Sequence, residues 1–204
     1  MQRAFERTKG GGRELIMVTG YPGTGKTALI QGLKQAVAED ICFFIEGKFD
    51  QYARSTPYPA ISQAFEGILS FILVESDDQF HRWKDTIVSA LDDLGSAILE
   101  ILPRLALIIG PQPDIPPLKG QDAQRRFHYV FLRFIRAITK VGRPLVVFLD
   151  DLQWIDAASL TLLRAFAMDA HTESLLIIGA YRDSEVDTTH PLMLMLDGSD
   201  FHYR

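Results

Sequence analysis

Gly20-Tyr21-Pro22-Gly23-Thr24-Gly25-Lys26-Thr27 satisfies G-x-x-x-x-G-K-[ST] at every position and follows the apolar run Leu15-Ile16-Met17-Val18. The stretch reads as strand, loop and helix, since Leu29, Ile30, Leu33 and Val37 recur at helical spacing after it. Glycines let such a loop turn its backbone N–H groups inward around an anion, and the helix that follows presents the positive end of its dipole to the same place. The binding set is therefore Gly20, Tyr21, Pro22, Gly23, Thr24, Gly25, Lys26, Thr27 and Ala28. Lys26 is assigned to the β- and γ-phosphates of a nucleotide and the Thr27 hydroxyl to Mg²⁺.

A second stretch supplies the complement. Leu145-Val146-Val147-Phe148-Leu149 is a strand apolar on both faces, as a parallel sheet requires, and it ends in Asp150 and Asp151. Ligands of open α/β sheets bind at the carboxyl ends of the strands, so these acids are expected beside the phosphate loop. Asp150 is the candidate for holding Mg²⁺, a hard cation that prefers oxygen, and Asp151 for orienting the attacking water. A third strand, Leu175 to Tyr181, runs into Arg182. That cation fits two roles: sensing or stabilising a γ-phosphate, or a structural ion pair with Asp183 or Glu185.

The intervening chain is mostly helical. Ile41-Cys42-Phe43-Phe44-Ile45 reads as a strand that completes a parallel βαβ unit with the first one. Ile61, Phe65, Ile68, Leu69 and Ile72 mark a helix, and residues 79–109 read as helical with a break near Pro103, so residues 58–109 form a helical insertion between the second and third core strands. Gly110 to Pro117 carries four prolines and reads as an exposed connector. From Gln121 a helix places Phe127, Val130, Phe131, Phe134, Ile135 and Ile138 on one stripe and Arg125, Arg126, Arg133, Arg136 and Lys140 on the other, which we read as a solvated face.

Composition bounds the rest. The chain has 204 residues, about the size of one domain, with 47% hydrophobic and 23% charged residues and a formal charge of −5. That balance gives no general attraction to nucleic acid or an anionic membrane. One cysteine, Cys42, precludes an internal disulfide, fits a reducing compartment and reads as a buried structural thiol. No stretch approaches the roughly 18 apolar residues of a membrane span, and no signal-type segment opens the chain, so a cytoplasmic location is expected. The five histidines lack metal-site spacing, and no G-x-S-x-G elbow is present.

The phosphate loop, Glu46-Gly47-Lys48-Phe49-Asp50-Gln51 with Thr56-Pro57-Tyr58, the tail Phe148-Leu149-Asp150-Asp151-Leu152-Gln153-Trp154-Ile155-Asp156, and Gly179-Ala180-Tyr181-Arg182-Asp183 together resemble AAA-type ATPase modules of the STAND signalling class. The resemblance covers nearly the whole chain. It implies a three-layer α/β/α P-loop core with a parallel sheet. It also implies Mg·ATP as ligand, slow hydrolysis used as a switch, kinase or sensor domains as partners and a nucleotide-dependent oligomer. In that pattern Lys26 and Thr27 take the Walker A role, Asp150 and Asp151 the Walker B role, and Arg182 the sensor position. Such modules begin upstream with a Gly-Arg-Glu box and continue into a fifth strand and a helical lid. Relative to them this chain reads as truncated at both ends, and weak binding with slow or absent turnover is the expectation. The alternatives are a small-molecule phosphotransferase, a DNA-associated loader-type AAA ATPase and a scaffold that binds nothing.

Overall fold

In the computed structural model, residues 1–21, 23–38, 42–52 and 57–197 are described. The chain opens with helix α1 (Gln2–Lys9), turns through Gly10 to Gly12 and enters β1 (Arg13–Thr19). After the phosphate loop come α2 (Lys26–Ala36) and β2 (Phe43–Lys48). The helices α3 (Pro59–Ile72), α4 (Asp77–Leu91), α5 (Ser96–Leu99), α6 (Ala106–Ile109) and α7 (Gly120–Lys140) follow. Then β3 (Leu145–Asp150), α8 (Ala157–Met168), β4 (Leu175–Tyr181) and α9 (Pro191–Asp197) complete the described chain.

The four strands form one parallel sheet in the order β1-β4-β3-β2. Successive side chains alternate between its faces, and the apolar runs fill both. Leu145, Val147 and Leu149 of β3, with Leu175 and Ile177 of β4, point into a large core shared with α3 to α9. Val146, Phe148, Leu176, Ile178 and Ala180 point the other way, into a small core closed by Ala4 and Phe5 of α1, Ile30 and Leu33 of α2 and Val37 just after it. The result is the three-layer α/β/α arrangement expected from the sequence.

Three local readings needed revision. Helix α1 was not foreseen, because its buried face is only Ala4, Phe5 and Thr8 within a charged segment. The helical run after residue 79 breaks at Asp92, which adopts φ 54°, as well as before Pro103. Cys42 is half-buried at the margin of the small core, where its Sγ lies 3.7 Å from Val37 O. Ile41 and Thr56 lie outside the described residues.

The large core is aromatic. Phe131 is fully buried and its ring lies 4.9 Å from Phe65, 5.3 Å from Phe127 and 5.5 Å from Phe166 between centroids, so α3, α7 and α8 meet on one side chain. Offset and edge-on rings of this kind contribute beyond their burial. At the start of α3, Tyr58 caps the helix with φ 61° and its hydroxyl lies 3.1 Å from His128 Nε2. Burial pushes the Tyr58 hydroxyl up to about 12 and lowers the His128 imidazole. The basic side of α7 is solvated at Arg125 and Lys140, while its other three cations are engaged within the molecule. Arg126 donates to Pro116 O at 2.6 Å, Arg133 sits over the Tyr129 ring, and Arg136 forms a two-pronged pair with Asp169. No helix of the described residues is long and apolar enough to cross a membrane.

Candidate functional site

Because all four strands are parallel, their carboxyl ends open on one edge of the sheet: the ends of β2, β3 and β4 bring Lys48, Asp150 and Arg182 there, and the loop after β1 brings Lys26. The cleft has a volume of about 350 Å³ and is lined by Gly23, Thr24, Gly25, Lys26, Lys48, Asp150, Asp151 and Arg182. Lys26 and the two acids thus share one cavity although well over a hundred residues separate them. A roomier cleft of about 570 Å³ lies in the helical layer, where Tyr58, Ile101, Phe127 and Ala158 give it mainly apolar walls.

The phosphate loop is strained toward glycine. Gly23 and Gly25 have φ 81° and 86°, and a Cβ at Gly20 would approach Thr24 Oγ1 to 2.8 Å. Thr24 closes the turn by donating to Tyr21 O at 2.8 Å. Lys26 Nζ donates to Gly20 O at 2.7 Å and Tyr21 O at 3.1 Å, so the ammonium is folded over the loop's own carbonyls. Gly25 in left-handed conformation starts α2, whose first turn carries no acidic residue, leaving the positive dipole end uncompensated toward the cleft. Tyr21 and Ala28 are exposed beside it. Pro22 and the side chain of Thr27 lie outside the described residues.

The opposite wall is a charge network. Asp150 ends β3 in register with Lys48 of β2, and its Oδ1 accepts the Asp151 N–H at 2.9 Å. Asp151 is buried, with φ 53°. Its carboxylate meets Lys48 Nζ at 3.2 Å through Oδ2; through Oδ1 it meets Gln153 Nε2 at 2.9 Å and Arg182 Nε at 3.6 Å. Arg182 also donates to Glu185 at 2.8 Å and lies 5.3 Å over the Trp154 ring. Both roles weighed for Arg182 therefore remain open to it: it borders the cleft and it is ion-paired to Glu185.

Two members of this network were not singled out from the sequence. Lys48 stood in the run 46–51 without an assigned role, past the end of the strand read over 41–45, whereas β2 extends to it. Gln153 stood in the tail after the acids. A close approach at Gly179 lets the Leu152–Trp154 turn sit on β4, since a Cβ there would meet Leu152 Cδ1 at 2.4 Å and Met17 Sδ at 2.7 Å. For a divalent metal the donor chemistry fits. Among the described residues no group of three His, Cys, Asp or Glu gathers to form a protein cage, while one strand-end carboxylate with phosphate and water oxygens is the environment Mg²⁺ accepts.

The family model for the AAA ATPase domain matches residues 1–178. The chain belongs to that family. Nucleotide binding with a divalent metal comes with it. This AAA domain is 39% identical over 161 residues to "Hybrid signal transduction histidine kinase G" of Dictyostelium discoideum, covering 78% of the chain and 5% of that protein. It is 24% identical over 168 residues to "Histidine protein kinase 1" of Candida albicans, covering 74% and 7%. The AAA domain thus spans a small fraction of the length of these curated relatives. A solved structure of the ATP synthase subunit NeqB aligns with a TM-score of 0.38 and 12% identity, over 89% of this chain and 42% of that one.

Proposed function

We propose that this AAA domain binds Mg·ATP at the strand-end cleft and hydrolyses it slowly, as a STAND-type switch read by kinase or sensor domains. The observation that carries the reading is the shared cleft: a glycine loop with its lysine faces two strand-end carboxylates and two further cations. The two histidine-kinase relatives support the signalling context.

Lys26 leaves the Gly20 and Tyr21 carbonyls and pairs with the β- and γ-phosphates, a stronger acceptor set. The Thr27 hydroxyl, by its place in the motif, and Asp150, at the strand end, would hold Mg²⁺, which would neutralise phosphate charge. Asp151 orients the attacking water once its carboxylate is released from Lys48, because a triphosphate competes for the ammonium. Arg182 stands at the same cleft and reports the γ-phosphate. Asp151 is one methylene shorter than the glutamate of fast AAA motors, and it starts out fully engaged by its neighbours; both favour a slow switch over motor work.

Lys26→Ala tests the site. Loss of the phosphate cation is expected to weaken ATP binding by about 100-fold, the scale of two charge-assisted hydrogen bonds. Calorimetric titration reads it, and unchanged affinity in a folded variant would refute the assignment.

A further inference from the structure

Gln153 is a buried amide, 4% exposed, that phosphate binding does not call for. Its Nε2 donates to Asp151 Oδ1 at 2.9 Å and its Oε1 accepts the Arg182 backbone N–H at 3.3 Å. The orientation of the amide follows from its partners. A carboxylate only accepts and a backbone N–H only donates, so the flipped amide would oppose oxygen to oxygen and N–H to N–H. Its main-chain carbonyl lies 3.2 Å from His190 Nε2. His190 Nδ1 accepts the Leu192 N–H at 3.2 Å, which leaves Nε2 as the nitrogen that donates to Gln153. Leu192, Met195 and Leu196 of α9 are in turn buried in the large core. One residue therefore joins the acid after β3, the end of β4 and the start of α9.

We propose that Gln153 is a positioning residue for hydrolysis, which holds Asp151 in the orientation that meets water and ties that orientation to α9 through His190. The inference rests on the reading of Asp151 as the water-orienting group. Gln153 binds Oδ1, whereas Lys48 binds Oδ2. When the γ-phosphate draws Lys48 away, Oδ2 is freed for water, and the amide on Oδ1 keeps the carboxylate from rotating even as Arg182 leaves that same oxygen. As a neutral donor within a packed turn, Gln153 has no reason to follow the phosphate. A shift of α9 changes the His190 bond and so moves the turn that carries the amide.

The test compares ATP affinity with the single-turnover hydrolysis rate in Gln153→Leu, Gln153→Asn, His190→Ala and the Gln153→Leu/His190→Ala double variant, beside Asp151→Asn. Gln153→Leu keeps the volume without the amide, and Gln153→Asn keeps an amide that is one methylene short. Each is expected to leave affinity within about twofold while the rate falls about 10- to 100-fold, as misplacement of a reacting group does. His190→Ala should slow the rate less, and the double variant should be no slower than Gln153→Leu, the mark of residues acting in series. Wild-type rates in both glutamine variants, or a loss of affinity equal to the loss of rate, would overturn the inference. Should Gln153→Leu fail to fold, Gln153→Asn and His190→Ala decide by the same criteria. If Asp151→Asn hydrolyses like wild type, or wild type shows no turnover, the reading of Asp151 falls and this inference with it. If Asp151→Asn is slow and the glutamine variants are not, this inference alone falls.

Discussion

The aromatic layer around Phe131 and the cleft at the strand ends are built from opposite materials. Phe65, Phe131, Phe134 and Phe166 are excluded from water and held by contacts on every side. Lys26, Lys48 and Arg182 remain partly exposed and hold carbonyls or carboxylates, which a triphosphate replaces in the proposed function. The first region gives the sheet a fixed support. The second holds ion pairs whose cations reach solvent, a kind that contributes about 0–1 kcal/mol, and on the proposed reading it exchanges them for a ligand. On the proposed reading stability and binding are carried by different residues, and the contrast can be broken from either side.

The largest effect is expected at Phe131→Ala. Removing a ring on which three helices meet should cost about 3–5 kcal/mol. Urea unfolding reads it, and the nucleotide affinity of the folded fraction should stay at wild-type level. A selective loss of affinity would dissolve the separation between the two regions.

Asp169→Asn should cost about 1.5–3 kcal/mol, the range for hydrogen bonds to charged groups. Burial acts to raise the Asp169 carboxyl, but hydrogen bonds from Arg136 and Thr172 and the Arg136 charge outweigh it, so it is lowered. A lowered carboxyl favours the folded state above its unfolded value, near about 4, and that contribution disappears as pH falls through the folded value. Melting curves between pH 6 and pH 3 should show the wild type losing its advantage over the variant. Parallel curves would show that the Arg136 pair adds nothing.

Lys48→Ala should change stability by under about 1 kcal/mol, since the lysine is largely exposed. It leaves Asp151 Oδ2 without its cation, so an altered ratio of hydrolysis rate to ATP affinity is the expected sign of a cleft residue. If stability fell sharply while that ratio stayed fixed, Lys48 would belong with the support and not with the exchangeable set.

The smallest effect concerns His128. Burial lowers its imidazole, so the folded state disfavours the proton and stability declines as pH falls from the unfolded value near about 6.5 toward the folded one. Replacing it in His128→Gln should flatten the melting temperature across that window. An unchanged slope would assign it to another group.

Much of this could be read before any coordinates. The phosphate loop was legible because its parts are contiguous: strand, glycines, lysine and amphipathic helix follow each other within one short segment. The strands β3 and β4 were legible because burial on both faces leaves no polar residue until the strand ends. Helix α1 was not, because a short helix with one buried aromatic has no period to detect. Lys48 and Gln153 escaped for a different reason. Each is an ordinary polar residue at or after a strand end; the meaning of Lys48 lies in Asp151 after the neighbouring strand, and that of Gln153 in joining its own turn to the residues after β4.

By itself the sequence determined the parallel α/β core, the phosphate motif and the acids that follow β3, since local backbone preference and hydrophobic period act over a few neighbouring residues. Only the tertiary structure decided that Asp151 is held by Lys48 from β2 and by Arg182 just after β4, and that Gln153 links it to the end of that strand. Hydrogen bonds and ion pairs depend on distances of about 3 Å, and distances between residues remote in the chain exist only once the strand order β1-β4-β3-β2 has been set.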